Sequence, residues 1–256
     1  MRISANAKSF AHETDKRGSL ARREEHAQPV SSISGENMLH PWDLTPKEAI
    51  ALQKRLASHV VLKPLPERIT VIGGIDVGYS RRHQSAVAAL VTYHYPSLEF
   101  RELVQLSGEI SYPYISGLLS FRELPLLLKT FQLLQKQPEV VLCDGQGIAH
   151  PRGLGLASHL GLWLDLPTVG CAKTRLVGTH GKVGPKKGQY RSLKHHHKQI
   201  GVVLRTRTRV KPLYISPGHL ADVQSSRRLV LRCCLNYRLP EPIRQAHLVV
   251  QRAVRQ

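Results

Sequence analysis

The sequence predicts an α/β protein in which one mixed β-sheet is flanked by helices. Three apolar, strand-like runs lie close together early in the chain, and their short links favour an antiparallel meander. Helical and strand-like patterns then alternate, which is typical of parallel pairing. A hydrophobic content of 41% over 256 residues is enough to build a sizeable core.

The first predicted element is a helix that begins after Thr45. Thr45 can cap this helix, and Glu48 at its third position completes a capping box. Residues 1–38 mix charged and small polar side chains without apolar periodicity, so we expect a disordered basic extension there. Residues 39–256 are expected to form one folded domain.

The later elements are separated by turn-prone glycine, proline and serine residues. Alternating or continuous apolar runs predict strands at 69–77, 86–93, 99–107, 140–143, 168–171, 200–205 and 213–216. Helical spacing predicts helices at 120–137, 154–164 and about 220–237. This order of elements is similar to the ribonuclease-H-like fold.

The chain is strongly basic. Lys and Arg total 37 against 18 Asp and Glu, which gives a formal charge of +19 and favours a polyanionic partner. Nucleic acid is the leading candidate, and a charge that only aids solubility or membrane-surface contact is the alternative. The basic stretch 182–198 is predicted to be a mobile loop that contacts phosphate, with a merely solvated loop as the alternative.

Cysteine spacing and hydropathy bear on the cellular compartment. The four cysteines form no CxxC pair, so neither a zinc site nor a disulfide framework is indicated. No apolar run approaches the roughly 18 residues of a transmembrane helix, and the first residues lack the apolar centre of a signal peptide. We therefore expect a cytoplasmic protein without a membrane partner.

Two aspartates stand at chemically informative places. Asp76 interrupts an apolar run, where an ionised carboxylate is costly unless it is paired or binds a cation, and flanking glycines would let a ligand approach. The alternative is an aspartate that caps a turn. Asp144 follows the apolar strand 140–143, where its side chain would project into the crevice used for ligands in open α/β sheets. An ordinary Asp-Gly turn is its alternative.

Two further residues are candidates at helix starts. Glu123 is predicted in the first turn of a helix, where the macrodipole alone could explain a negative charge. His219 and Asp222 lie three residues apart at the opening of the last predicted helix, although a histidine there is more often capping or exposed. Carboxylates with a histidine suit phosphodiester hydrolysis with Mg²⁺ or Mn²⁺, provided that the fold brings them together.

Two long motifs resemble the endonuclease V family. They are residues 112–123 (YPYISGLLSFRE) and 141–152 (VLCDGQGIAHPR). The likeness continues in the same order through 154–159, 167–173, 216–219 and 237–242. It covers the chain from about residue 45 to the C-terminus.

The resemblance implies an acidic metal site and a nearby cation. Asp76, Glu123 and Asp144 would bind Mg²⁺, for which Mn²⁺ can substitute. His219 would lie beside them, and Lys173 would contact the phosphate near the cleavage point. The implied reaction is cleavage of the second phosphodiester bond 3′ to deoxyinosine, which leaves 3′-hydroxyl and 5′-phosphate ends.

The resemblance also implies how the lesion is recognised. A wedge of Pro113, Tyr114 and Ile115 would separate the strands while the damaged base is flipped into a pocket. The implied pocket residues are all small or aliphatic. They are Gly117, Leu119, Gly145, Gly147, Leu156, Gly170 and Leu176. Ser116 and Gln146 depart from the family pattern, where proline and histidine are common, which puts lesion range in question.

Three alternatives remain open. The chain could cut inosine-containing RNA, act as another ribonuclease-H-like nuclease such as a junction resolvase, or only read deaminated bases. The carboxylates argue against a pure reader, because an empty acidic cluster repels phosphate. We expect a monomer whose partner is inosine-containing DNA, with RNA as the alternative.

Overall fold

The computed structural model describes residues 39–80 and 85–255, and the predicted extension 1–38 lies outside them. The helices are α1 (Pro46–Ala57), α2 (Leu119–Gln132), α3 (Leu156–Leu164), α4 (Val223–Cys233) and α5 (Glu241–Ala253). The strands are β1 (Val71–Ser80), β2 (Ser85–His94), β3 (Phe100–Glu109), β4 (Val140–Cys143), β5 (Thr168–Ala172), β6 (Tyr190–His195), β7 (Lys198–Leu204) and β8 (Leu213–Pro217). None of the described helices is both long and apolar enough to cross a membrane.

The eight strands form one sheet in the order β3-β2-β1-β4-β5-β8-β7-β6. Strands β1 to β3 make the antiparallel meander, and β1, β4 and β5 run parallel to one another. Strand β8 is antiparallel to both β5 and β7, and β6 is antiparallel to β7. The predicted ribonuclease-H-like mixed sheet is confirmed.

Helices cover both faces of the sheet. Helices α2 and α3 bury Leu124 and Leu160 against one face, together with Ile75 of β1. Helices α4 and α5 bury Val230 and Ile243 against the other face. Burying a leucine, isoleucine or valine contributes about 1.5–3 kcal/mol each, so the two layers hold the sheet between them.

The predicted capping box of α1 is present. The Glu48 backbone N–H donates to Thr45 Oγ1 at 3.3 Å, and the Thr45 backbone N–H donates to Glu48 Oε2 at 2.8 Å. Two helix-end donors are thereby satisfied within the motif itself. The predicted start of the helix is confirmed.

The basic stretch 182–198 is not one loop. Its second half forms the β6–β7 hairpin, in which His195 pairs with Lys198 across a two-residue turn. His196 and His197 occupy the left-handed region with φ of 47° and 63°, as a tight hairpin turn requires. Charged side chains suit this edge strand because they discourage pairing with another chain.

The last predicted helix, 220–237, is also wrong in its extent. Helix α4 ends at Cys233, and Cys234 leaves the helical region with ψ of 95°. A separate helix, α5, begins after Pro240, whose ring cannot continue a preceding helix. Helix α5 was not predicted from the sequence.

A buried histidine pair joins the start of the described chain to α2 and α3. His40 Nε2 lies 2.7 Å from His159 Nε2, and His159 Nδ1 lies 2.9 Å from Ser120 Oγ. Trp163 Nε1 donates to His40 Nε2 at 3.1 Å. Burial lowers the pKa of both histidines. The pair is therefore stable in its neutral form.

We expect this pair to make the fold sensitive to acid. An unfolded histidine has a pKa of about 6.5. The folded pKa values are lower, so unfolding takes up protons, and stability present above about pH 6.5 is lost as the pH falls below it. Urea unfolding of His159→Gln should show a shallower pH dependence than wild type. The exposed His59→Gln serves as control and should match wild type. Identical slopes for wild type and His159→Gln would contradict the assignment.

Candidate active site

Asp76 lies on β1 between two glycines that point to the same face of the sheet. A Cβ atom at Gly74 would lie 2.5 Å from the Ile243 backbone nitrogen, and one at Gly78 would collide with Val250 of α5. Strand residues two apart share a face, so Asp76 also points toward α5. The two glycines therefore make room for helix α5 to pack closely on β1. The sequence pattern predicted instead that they let a ligand approach.

The close approach of α5 brings His247 to Asp76. His247 Nδ1 lies 2.7 Å from Asp76 Oδ2, and His247 Nε2 lies 2.9 Å from Gln251 Nε2. The Gln251 amide nitrogen can only donate, so Nε2 of the neutral ring accepts and Nδ1–H donates to the carboxylate. Helix α5 thus fixes both the orientation and the tautomer of the histidine.

Asp144 joins the same group because β1 and β4 are parallel neighbours. Ile75 pairs with Cys143, so the next residue of each strand, Asp76 and Asp144, lies at the same edge of the sheet. One ligand atom each from Asp76, Asp144 and His247 lies within 4.8 Å of the other two. The Lys173 ammonium pairs with Asp144 Oδ2. The predicted convergence of Asp76 with Asp144 is present.

The carboxylates of Asp76 and Asp144 repel each other. Burial raises the pKa of Asp76, the charge of Asp144 raises it further, and the hydrogen bond from His247 opposes both. A cation would relieve this repulsion, since an opposite charge nearby favours the ionised form. The group therefore has the donor chemistry and the charge of a divalent-metal site.

Glu123 approaches the same edge from the opposite face. Helix α2 begins at Leu119, so Glu123 lies in its second turn and is buried, not in the first turn as predicted. Tyr79 donates a hydrogen bond to Glu123 Oε1 at 2.8 Å. Burial raises the pKa of Glu123 to about 8, against the Tyr79 hydrogen bond. Glu123 lies outside the close group of Asp76, Asp144 and His247.

The predicted position of His219 is wrong. Its backbone exchanges hydrogen bonds with Thr168 at the start of β5, whereas Lys173 follows the end of that strand. The five residue steps from Thr168 to Lys173 correspond to about 16 Å of extended chain. Strand β8 runs antiparallel to β5, so it ends at the edge of the sheet opposite Lys173. The His219 ring accepts from the Val61 N–H and faces Asp165. Asp222 caps α4 by accepting from the Ser225 N–H at 2.6 Å.

A cleft of 340 Å³ opens beside the carboxylates. Asp144 and Lys173 belong to its lining, so the acidic group and the cleft adjoin. Five of the predicted pocket residues line it: Gly117, Leu119, Gly145, Leu156 and Leu176. The cleft has the size and mixed lining of a small-ligand site.

Gly147 and Gly170 lie behind the cleft and do not line it. A Cβ atom at Gly170 would lie 2.6 Å from the Gly145 carbonyl oxygen, and one at Gly147 would lie 2.5 Å from the Pro217 carbonyl carbon. The two glycines let β5, β8 and the loop after β4 pack backbone against backbone. Their role is to hold the cleft wall, which corrects the prediction that they contact the base.

The predicted wedge loop is fixed at both ends. Arg122 Nη1 donates to the Tyr112 carbonyl at 2.7 Å. The Gly117 carbonyl is approached by Gln53 Nε2 at 3.0 Å, Arg152 Nη2 at 2.7 Å and a ring nitrogen of His150 at 3.0 Å. Between these anchors lies Tyr114, which lines the cleft and is 75% exposed. The loop presents an aromatic ring from a rigid base.

The two residues that depart from the family pattern occupy different settings. Gln146 is buried, and its Nε2 donates to the Thr174 carbonyl at 3.0 Å. It thereby ties the loop after β4 to the loop after β5. Ser116 is exposed on the wedge loop and lines the cleft. Neither residue belongs to the carboxylate group.

His247 was not among the residues predicted from the sequence. The last quoted motif of the resemblance ends at residue 242, and a single histidine in a basic helix carries little signal. A usable signal was the spacing of Ile243, Ala246 and Val250, which are buried along one face of α5. That spacing places His247 beside the face that packs on β1.

The fold and the site together define a ribonuclease-H-like nuclease with an acidic group suited to a divalent metal. Residues 54–248 match the family model described as Endonuclease V. The chain is 47% identical over 216 residues to Endonuclease V from Dehalococcoides mccartyi (strain CBDB1), covering 84% of this chain and 97% of that protein. The chain belongs to the Endonuclease V family.

Solved structures agree with this membership. Endonuclease V from Streptomyces avermitilis superposes with a TM-score of 0.79 at 37% identity, covering 84% of this chain and 95% of that one. Endonuclease V from Ciona intestinalis, in complex with a 23mer DNA containing an inosine followed by a ribo-adenosine, gives a TM-score of 0.74 at 26% identity. That match covers 83% of this chain and 99% of the other.

Proposed function

We propose that the chain is a repair enzyme that hydrolyses the second phosphodiester bond 3′ to deoxyinosine, leaving 3′-hydroxyl and 5′-phosphate ends. The observation that carries the proposal is that Asp144 belongs both to the close group with Asp76 and His247 and to the lining of the cleft. The metal-binding carboxylates and the cleft that binds the base would then adjoin at Asp144. Family membership and the inosine-containing DNA bound by the Ciona relative support the choice of base.

Mg²⁺ is the proposed ion, with Mn²⁺ as a substitute. Carboxylate oxygens suit both ions. Asp76 and Asp144 would hold the ion, and His247 would orient Asp76 through the Nδ1–H that it donates to this carboxylate. Tyr79 engages one oxygen of Glu123, which leaves the other oxygen for an ion. When bound, the metal would activate water and stabilise charge on the reacting phosphate.

The protein's own cation complements the acidic group. The Lys173 side chain is 37% exposed and lies against Asp144 on the cleft wall. An ammonium group is a compact donor for phosphate oxygens. We propose that Lys173 binds the phosphate at the cleavage point and offsets the repulsion between that phosphate and the carboxylates.

The cleft is proposed to hold the flipped base. A Cβ atom at Gly145 would lie only 3.2 Å from Leu156, so glycine keeps this wall thin and its backbone accessible. Backbone groups there could distinguish the O6 acceptor of hypoxanthine from the amino group of adenine. Gly117, Leu119 and Leu176 would provide the apolar contacts around the ring.

Tyr114→Ala is expected to lower activity on duplex DNA more than on single strands. Only the duplex must be opened, and unstacking a base costs a few kcal/mol, so we expect a loss of about tenfold or more on the duplex. The measurement is kcat/KM on matched inosine-containing strands. Tyr114→Phe keeps the ring and should retain activity on both. Equal losses of Tyr114→Ala on the two substrates would count against the wedge.

The decisive test of the proposed function is a cleavage assay with the full chain. Inosine would be placed in single-stranded DNA, duplex DNA and RNA, beside a four-way DNA junction without inosine, each with Mg²⁺ and with a chelator. We expect a cut at the second bond 3′ to inosine only when the metal is present. Binding without any cut would favour the reader, and intact inosine strands with cleaved junctions would favour a resolvase.

The same assay decides between DNA and RNA. Only RNA offers a 2′-hydroxyl contact, so a strong preference for it would identify an endoribonuclease. The residues that carry the proposed chemistry are the same for both substrates. The oligomeric state proposed here is a monomer of one catalytic domain, 39–256, which sedimentation of the full chain would check.

A further inference from the structure

Residues 166–221 contain twelve Lys and Arg residues and no Asp or Glu. Two loops of this segment lie side by side: 184–189 before β6 and 205–212 between β7 and β8. The Gly188 N–H donates to the Arg205 carbonyl at 2.8 Å, and the Arg209 N–H donates to the Pro185 carbonyl at 2.9 Å. These bonds hold the two loops together as one basic surface.

The two loops lie at the same edge of the sheet as the candidate active site. Ala172 at the end of β5 pairs with Tyr214 near the start of β8, and Leu213 of β8 pairs with Leu204 at the end of β7. The β7–β8 connection therefore leaves the sheet where Lys173 does. The tip of the β6–β7 hairpin lies at the opposite edge.

Arg238 connects these loops to the site directly. Its Nη2 donates to the Lys173 carbonyl at 2.7 Å and to the Pro212 carbonyl at 2.8 Å. Thr206 Oγ1 donates to the Arg238 carbonyl at 2.6 Å. The basic loops are thus separated from the proposed phosphate-binding lysine by one side chain.

Some cations in the loops serve the fold. The Lys187 ammonium donates to the Cys234 carbonyl at 2.6 Å, and the Arg205 guanidinium binds three backbone carbonyls. The other four side chains are exposed and form no ion pair with any residue in the described part of the chain. We name them the basic ridge: Lys186, Arg207, Arg209 and Lys211.

Arg209 has an unfavourable backbone conformation. Its φ is 60°, in the left-handed region that glycine adopts without penalty and a longer residue only at an energetic cost. An arginine at this position therefore lowers stability locally. Backbone outliers of this kind cluster at active sites and ligand clamps.

We propose that the basic ridge binds the phosphodiester backbone of the substrate strand where it leaves the cleft. This inference rests on the proposed function for its substrate and extends the binding surface beyond the bond that is cut. The interactions are charge-driven and independent of sequence, since exposed Lys and Arg bind phosphate without reading bases. They would hold the strand in register while the base is flipped.

The test is the salt dependence of binding by the full chain. The probes are two single-stranded DNAs, one with inosine and one with adenine at the same position. Arg207→Ala/Arg209→Gly should lower affinity roughly tenfold at low salt and reduce the slope of log K against log salt by roughly 0.7 for each phosphate that the variant no longer neutralises. Lys194→Ala/Lys198→Ala removes the same charge at the opposite edge and should leave the slope unchanged.

Stability provides the second readout. Arg209→Gly relieves the backbone, so its melting temperature should equal or exceed that of wild type even as affinity falls. The variant Lys186→Ala/Lys211→Ala changes no residue with a positive φ, and it should show the same reduction in slope. Wild-type slopes in both ridge variants, or an equal reduction in the hairpin control, would overturn the proposal. Failure of the chain to cut inosine strands would instead refute the proposed function. The salt dependence of binding to the adenine strand would still show whether the basic ridge binds phosphate.

Discussion

Asp76→Ala and Asp144→Ala are each expected to abolish strand cleavage while preserving most substrate binding. The two carboxylates share a close ligand group with His247, so either substitution would remove a ligand of the proposed ion. Metal ions contribute several kcal/mol to stabilising charge in the transition state, which corresponds to a decrease of about 10³-fold or more in rate. Single-turnover cleavage of an inosine-containing strand and its binding with metal omitted are the measurements.

A matched control is available on the same protein. The Asp165 side chain is 90% exposed and outside the group, so Asp165→Asn should cut at the wild-type rate. Isothermal titration with Mn²⁺ adds a readout independent of turnover, and the two active-site variants should bind it more weakly. Wild-type turnover in either variant would refute the metal assignment.

Gly170→Ala is expected to destabilise the whole domain by about 3 kcal/mol or more. The new methyl group would meet the Gly145 carbonyl oxygen at 2.6 Å and the Gln146 carbonyl carbon at 2.7 Å. Both neighbours are backbone atoms of the buried loop after β4, which cannot move aside as a side chain can, and overpacking of this kind costs more than most substitutions. Urea unfolding measures the change.

Gly181→Ala is the control for this substitution. A Cβ atom there would have only one neighbour, Arg191 Cδ at an ordinary 3.9 Å. Its unfolding free energy should stay within about 0.5 kcal/mol of wild type. If Gly170→Ala unfolds like Gly181→Ala, the close packing behind the cleft is wrong.

Much of the fold was predictable because its signals are local. The capping box at Thr45 and the apolar runs of β1 to β5 depend on near neighbours in sequence. The pairing of Asp76 with Asp144 was also within reach, because carboxylates that follow adjacent parallel strands meet at one edge. The resemblance added the base, the wedge and Lys173, which no spacing could supply.

The errors concern features that depend on direction and distance in the sheet. The resemblance places His219 in the site, but β8 runs antiparallel to β5 and carries His219 to the opposite edge of the sheet. The direction of a strand cannot be inferred from a run of five residues. His247 was missed because its partner Asp76 lies 171 residues away in sequence. The sequence predicts a loop where β6 forms, because Leu193 is the only buried residue of that strand.

The docking of α5 on β1 has a consequence for biosynthesis. Strand β1 is synthesised early, whereas helix α5, which carries His247, follows all of the other described elements. A growing chain can pair its central strands and still hold Asp76 without its imidazole partner. Domains fold as the chain is made, and contacts between distant segments form late. Nascent or C-terminally clipped chains would therefore carry the strands and both aspartates without the His247 imidazole.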